Sequence, residues 1–489
     1  MSRLAPITLA LCSAALLSGC VVGPDYQRPA APVPSDAKLR EVELIAAARV
    51  SAEKLPDHWW RLYRDPELDR LVTEALTHNT DIRVAAANLQ RARAVLAEQR
   101  GARLPTITPS AQYSRQQGNT TNAAAFGGAG GPPRAFQFDL FQLGIDASYE
   151  VDLFGGVTRA IQAGRGDVEA SVAQLDAARV AVAAETTRSY AAACANAQQL
   201  IVARETVALQ RQTLDLTRRS FDAGRGTQRD VQQAEVLVAQ VEAQLPGLEA
   251  ERRAALYALA TLTGRPAEQI DAAANRCTTI PQLDQPLPAG DGAALIARRP
   301  DVRAAERTLA ADTARIGVAV ADLYPSITLL GRIGLNATRG SQLFQGTSVN
   351  YSLGPLIQWN FPNQTVARAR VRQARAQTEA SLARFDAAVL AALNETEQAL
   401  ARYAGALDQR EVLRRAEAAS SEAARISRLR FQSGLDNFLQ LTQAERDLAN
   451  TRTARAQADA AVVEAQVSLF RALGGGWEDA PEAVRRAPG

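Results

Sequence analysis

Few side chains in this sequence could make or break covalent bonds, and their spacing excludes most of the chemistry they could do. The thiols are Cys12, Cys20, Cys194 and Cys277, and the only imidazoles are His58 and His78. A metal site needs such ligands grouped at short intervals, and none are grouped here. His58 sits beside Trp59-Trp60 and His78 ends a short helical pattern. No nucleophile motif accompanies either, so acid-base or triad catalysis has no constellation to work with. The run Gly127-Gly128-Ala129-Gly130-Gly131 has the glycine density of a phosphate cradle, but Pro132-Pro133 follows where a P-loop carries Lys-Ser/Thr. It reads as a hairpin loop. No enzymatic activity, cofactor or metal is expected.

Cys20 is different because of what precedes it. Met1-Ser2-Arg3 supplies a short basic start, Leu4 to Leu17 an apolar run, and Leu17-Ser18-Gly19-Cys20 a small-residue cleavage site. Residues 1–19 therefore read as a signal peptide, too short to be a spanning helix. Leu-Ser-Gly-Cys resembles a bacterial lipobox, whose Cys is acylated and becomes the first mature residue. Cys20 is accordingly expected to carry lipid, and Val21 in place of Asp implies, by the same resemblance, sorting to the outer membrane. More than one acyl chain makes such anchoring stable. Cys194 and Cys277 remain, about 80 residues apart. An oxidising periplasm would let them pair, but one lies in a long helical pattern and the other in a Pro-rich connection, so both are expected as free, buried thiols.

The elements that carry these residues are repeated. At an offset of 220, Asp81, Arg83, Ala85, Leu89, Pro105, Ile107 and Thr108 recur as Asp301, Arg303, Ala305, Leu309, Pro325, Ile327 and Thr328. At an offset of 210, Glu169-Ala170-Ser171 recurs as Glu379-Ala380-Ser381, Phe221 and Gly224 as Phe431 and Gly434, and Gln233-Ala234-Glu235 as Gln443-Ala444-Glu445. The chain is a tandem duplication. The change of offset places ten extra residues of the first half after position 108 and before 143, the interval that holds the Gly-, Ala- and Asn-rich stretch Gly118 to Arg134.

Beside that loop the period is two. Ile107, Pro109, Ala111 and Tyr113 alternate with Thr108, Ser110 and Gln112; Leu143, Ile145, Ala147, Tyr149 and Val151 alternate with Gly144, Asp146, Ser148 and Glu150. The second half repeats the device with Ile327, Leu329, Ile333 and Leu335, then Val349, Tyr351, Leu353, Ile357, Trp359 and Phe361. These predict four strands of about 10 residues, the length of a tilted transmembrane strand. A half-buried soluble sheet alternates in the same way; the lipobox tips the reading to membrane, with the apolar face in lipid. Four strands close no barrel, and open edges are not tolerated in hydrocarbon, so identical chains must pool them. Two copies would give eight strands, a barrel just filled by side chains, and three would give twelve and begin to leave a channel; the strands do not choose between them, but an empty interior favours three or more.

The remainder is helical. Hydrophobic residues make up 47% of the chain but aromatics only 5%, a balance that favours Ala- and Leu-rich helices. Thr158 to Phe221 and Asn363 to Phe431 contain no Pro, although Gly164, Gly166 and Gly405 are potential interruptions. Leu200, Val207, Leu214 and Phe221 recur every seven residues, as do Val202, Leu209 and Leu216. Two seams on one helix suit a wall with neighbours on both sides. With 55 basic and 52 acidic residues, interspersed, nothing suggests a nucleic-acid partner.

Val22-Gly23-Pro24-Asp25-Tyr26 after the lipobox, Trp59-Trp60 with Asp65-Pro66-Glu67-Leu68, Arg298-Arg299-Pro300-Asp301-Val302 with Ala305-Glu306, and Gly474-Gly475-Gly476-Trp477 together resemble the TolC-like outer-membrane efflux ducts. The likeness is to their NodT/OprM-type lipoprotein branch, over essentially the whole chain. It implies a homotrimer with a twelve-stranded β-barrel in the outer membrane and a long α-helical, coiled-coil-like periplasmic barrel. The implied role is the exit duct of a tripartite efflux system, with a periplasmic adaptor protein and an inner-membrane resistance-nodulation-division pump as partners. The implied organisation is a signal peptide (1–19), a lipidated segment and part of an equatorial region (20–69), a first repeat (70–265, hairpin about 104–154), an equatorial connection (266–300), a second repeat (301–473, hairpin about 325–361) and a tail (474–489). Adaptors would dock on the turns at Phe221 to Gly224 and Phe431 to Gly434. The closed periplasmic gate would map to Leu439 and Gln443 in the second repeat and Asp230 in the first, with Gln443 standing where the family often has Asp. Arg229, the repeat counterpart of Leu439, or less favourably Arg225, is expected to pair with Asp436 and help hold the closed state.

Overall fold

The computed structural model describes residues 21–30, 32, 49–51, 53, 55–119, 135–283, 285–288 and 298–478. The expected signal peptide, Cys20, most of the Gly-rich loop and the end of the tail lie outside the described residues. After the two-residue strand β1 (Val50–Ser51) comes a 3-10 turn (Trp59–Tyr63), then helix α1 (Pro66–His78). Asp65 starts α1 by accepting from the Glu67 and Leu68 N–H groups, with Pro66 in the first turn where its missing donor costs nothing. Asn79 likewise accepts from Asp81 and Ile82 to open α2 (Thr80–Gly101).

Strands β2 (Thr106–Asn119) and β3 (Ala135–Val151) follow, then helix α3 (Gly156–Asp222) of 67 residues. Helices α4 (Gln228–Glu242) and α5 (Leu245–Leu262), the two-residue strand β4 (Leu287–Pro288) and helix α6 (Pro300–Ala321) lead to β5 (Ser326–Ala337) and β6 (Val349–Gln358). Helix α7 (Thr365–Gln432), 68 residues, and α8 (Phe438–Ala472) are the last of the described elements. The returning helix of the first repeat breaks at Ala243-Gln244 because Pro246 follows, whereas α8, without Pro, runs unbroken.

Gly164 and Gly166 do not interrupt α3. They let neighbours approach: a Cβ on Gly164 would meet Gln99 Oε1 at 2.0 Å, and one on Gly166 would meet Ala311 at 2.9 Å. The first heptad seam is buried at Leu200 and Val207, and the second, Val202, Leu209 and Leu216, is half-buried. Towards its end, however, the buried stripe of α3 is polar: Thr206, Gln210, Thr213 and Thr217 are at most 5% exposed. Thr206 and Thr217 donate their hydroxyls to the carbonyls of Val202 and Thr213, one turn back. That internal bond is why a leucine pattern does not mark the stripe.

Two compact units emerge, each drawing on both repeats. One comprises residues 1–28, 91–169 and 306–383, the other 29–90, 170–305 and 384–489. The second unit has an aromatic core in which Trp59 stacks on Phe470 at 4.5 Å, Trp60 Nε1 donates to Asp69 at 2.8 Å and the Tyr63 hydroxyl donates to Gln466 at 3.2 Å. Arg299 is buried there, donating to Asp301, Glu395 and the Ala472 carbonyl.

Cys194 and Cys277 are not free. They form a disulfide, with Cα atoms 5.1 Å apart. The connection after α5 lies on α3 at this level, so two residues distant in sequence fall within bridging reach.

Candidate functional site

The first unit contains a sheet in the order β2-β3-β5-β6, antiparallel throughout. Its register aligns the alternation across all four strands: Pro109 opposes Ile145, Ile145 opposes Ile333, and Ile333 opposes Tyr351. One face is therefore apolar, and it is open: Ile107, Ile145, Ile333, Tyr351 and Leu353 are 49–85% exposed. The other face bears Ser110, Asp146, Arg332 and Ser352, and Ser110 donates to Asp146, which lies 3.7 Å from Arg332. Among the described residues of one chain, β2 and β6 have no strand on their outer edges. Trp359 and Phe361 stack at 4.7 Å just beyond β6, half or more exposed.

The segment after Cys20 is held where β3 passes into α3. Val22 N–H donates to the Phe154 carbonyl at 3.2 Å. The Arg159 side chain, 4% exposed, donates to the carbonyls of Val22 and Gly23 and to Asp25 at 2.8–3.0 Å. Gly23 has φ +88° and lies so close to Gly317 that a Cβ would come within 2.4 Å of its Cα.

The second unit contains both hairpin turns, built alike. Gly224 and Gly434 have φ of +68° and +74°. Arg225 N–H donates to the Ser220 carbonyl and Gly224 N–H to Phe221; Leu435 N–H donates to Arg430 and Gly434 N–H to Phe431. Both are Schellman ends. Each returning helix then opens with a capping box, Thr227 with Asp230 in α4 and Asn437 with Gln440 in α8. Phe221 is 38% exposed, and Phe431 meets Phe438 edge to face.

Of the expected gate residues, Leu439 is 66% exposed on the first turn of α8 and Gln443 is exposed, its amide donating to Asp447. Asp230 is engaged in its own capping box. The expected Arg229–Asp436 pair is not what the chain forms: Asp436 accepts from Arg430 at 2.8 Å, six residues earlier, and Arg229 is exposed. The Schellman turn folds the chain back so that Asp436 meets the last turn of its own incoming helix.

Sequence reasoning missed Glu445. Its side chain is fully buried and accepts at Oε1 from Thr213 on α3 (2.7 Å) and Arg428 on α7 (3.2 Å), while Oε2 has no partner. Burial pushes its carboxyl above the usual range against the lowering effects of Thr213 and Arg428. The repeat counterpart Glu235 pairs with Arg218 in solvent. The Gln-Ala-Glu repeat was visible in the sequence, but the difference in burial was not.

Residues 71–265 and 293–475 match the family model described as outer membrane efflux protein. The chain belongs to this family. It is 31% identical to outer membrane protein OprJ of Pseudomonas aeruginosa over 97% of each chain. It is 30% identical to the pyoverdine export outer membrane protein OpmQ of the same species over 98% of each. Among solved structures, the outer-membrane channel OprN superposes with a TM-score of 0.85 at 34% identity, covering 94% of this chain and all of that one. The fold is thus that of the TolC-like efflux channels, mostly helical with some sheet, and the protein resides in the outer membrane with a large periplasmic portion.

Proposed function

We propose that this protein is the exit duct of a tripartite efflux system, a homotrimer that passes small molecules delivered by an inner-membrane resistance-nodulation-division pump and a periplasmic adaptor. The observation that carries the reading is the four-stranded sheet with one exposed apolar face, one polar face and two unpaired edges. In hydrocarbon such edges must be paired, and pairing β6 of one copy with β2 of the next around three copies closes twelve strands with the apolar face outward. The clamp on Val22 and Gly23 supports lipid on Cys20, because it holds the chain beside the ends of the membrane strands. The turns at Gly224 and Gly434 serve as adaptor-docking points, and Leu439 supplies an apolar constriction beside Gln443 and Asp230, with Arg229 a free charge at the same level. Three Gln cannot titrate, so cation block at Gln443 is not expected. The cargo is not inherited from a relative named for pyoverdine export, since a duct sorts by width and lining. The test is reconstitution of the purified protein in planar bilayers with electrophoresis of unheated and heated samples. Discrete single-channel steps and a heat-dissociated trimer are expected; a monomer that conducts nothing would remove the duct.

A further inference from the structure

The two repeats leave their returning helices, α5 and α8, by equivalent glycines and then fasten the chain in different ways. Gly264 and Gly474 both have positive φ, +75° and +69°. After Gly474 the chain packs on aromatic rings: a Cβ on Gly476 would meet Trp59 and Trp60 at 3.2 Å, and Arg303 lies over Trp477 at 5.0 Å. After Gly264 there is no such cluster. Among the described residues from there to Pro288, regular structure amounts to a 3-10 turn at Ala274–Arg276 and the two-residue β4. The connection is fastened to α1 by Arg265 with Glu74 and by Asp271 with Arg70, and to α3 by a hydrogen bond from Ile280 N–H to Gln198 Oε1 at 3.4 Å and the Cys194–Cys277 bond, with Ala274 and Ile280 buried at 1% and 2% exposure.

Cys194 has no exposed surface once that connection is seated. Thiol–disulfide exchange requires access to the reacting sulfur, so the bond has to be made while the connection is still off α3. Cys277, on the irregular segment and only half-buried, is the thiol a reagent reaches first. We propose that this chain is a client of a periplasmic dithiol–disulfide oxidase, which joins Cys194 to Cys277 before the connection closes over α3, and that arrival of the chain in the outer membrane depends on that bond. The Cys277 thiolate attacks the oxidase disulfide, forming a mixed disulfide and releasing one oxidase thiolate. The Cys194 thiolate then attacks the Cys277 sulfur and expels the oxidase as its dithiol. Both thiol protons leave, and the oxidase carries away two electrons.

The experiment compares the full-length protein in cells with and without the periplasmic oxidase, counting thiols by maleimide mass-tagging and measuring the amount in the outer membrane. Loss of the oxidase is expected to leave both thiols of the wild type free and lower its outer-membrane level severalfold, and a small-molecule disulfide in the medium should restore both. The Cys194→Ala/Cys277→Ala protein should be low in both strains alike. Because that variant could fail simply by misfolding, a single-cysteine oxidase, supplied as its mixed disulfide with a small thiol, provides a second readout: Cys277 attacks the oxidase sulfur and expels the small thiol, so a lasting mixed disulfide should accumulate with Cys194→Ala, not with Cys277→Ala, and only transiently with the wild type, whose Cys194 resolves it. Equal thiol counts and levels of wild type in the two strains, absence of the trapped species, or a double variant that assembles like wild type would overturn the proposal.

Discussion

Glu445 and Glu235 occupy the same place in the two repeats and should answer pH differently. A carboxyl whose folded pKa is raised lends stability that is present below its unfolded pKa and lost as pH rises through the folded value. Burial raises Glu445, so acidification from neutrality should stabilise the packing of α8 on α3 and α7. Glu445→Gln should abolish that dependence, whereas Glu235→Gln, exposed beside Arg218, should leave it intact. Replacing Arg428 by Met strips the buried carboxylate of its counter-charge and should cost about 1–3 kcal/mol, more at about pH 8 than at about pH 5. Thermal melting of the detergent-purified variants at the two pH values reads this directly; equal losses at both would show that Glu445 is not charged in the fold. Such a residue is hard to read from sequence, because Gln443-Ala444-Glu445 copies Gln233-Ala234-Glu235 letter for letter and only the third dimension separates a solvated ion pair from a buried one.

The elements themselves were far more legible. Absence of Pro set the extents of α3 and α7 within a few residues, and strict alternation set which face of each strand is apolar, since every strand keeps period two against its neighbour. What escaped was whatever depends on how the folded chain is arranged rather than on its period: the Cys194–Cys277 bond across 83 residues, the polar stripe of α3, and the turn that brings Arg430, six residues away, rather than Arg229 to Asp436. Glycines show the same divide. Gly434 has open space around a would-be Cβ but a left-handed backbone, so Gly434→Ala should cost about 1–2 kcal/mol from the backbone alone. Gly405 also has open space, yet lies inside α7 with helical geometry. There Gly405→Ala should stabilise by about 0.5–1 kcal/mol. Chemical denaturation measures both, and a common sign would refute the backbone argument. At the turns, charged bulk at Ala223 and Ser433 should abolish efflux in drug-susceptibility assays while leaving folded, membrane-inserted protein; undiminished efflux would mean that these turns only reverse the chain.

For the whole molecule, the proposed lipid and the proposed barrel give two independent holds on the membrane. Cys20→Ala should eliminate acyl labelling and processing after Gly19, yet leave part of the protein in the outer membrane, because the strands retain their own apolar face. Complete loss from the membrane fraction would mean that the sheet does not insert unaided, and a wild type with an unmodified mature N-terminus would remove the lipid claim. The likeness of the two turns bears on counting. A trimer would present six knuckles with nearly the same backbone, three ending at Gly224 and three at Gly434. Their decoration differs: the Arg430–Asp436 ion pair of one has Ser220 and Gly226 at the matching positions of the other, and Asp230 stands where the second repeat has Gln440. A partner that grips backbone shape would therefore find six equal seats on this ring, while one that reads charge would find three, so the stoichiometry of the assembled machine reports which of the two languages its components share.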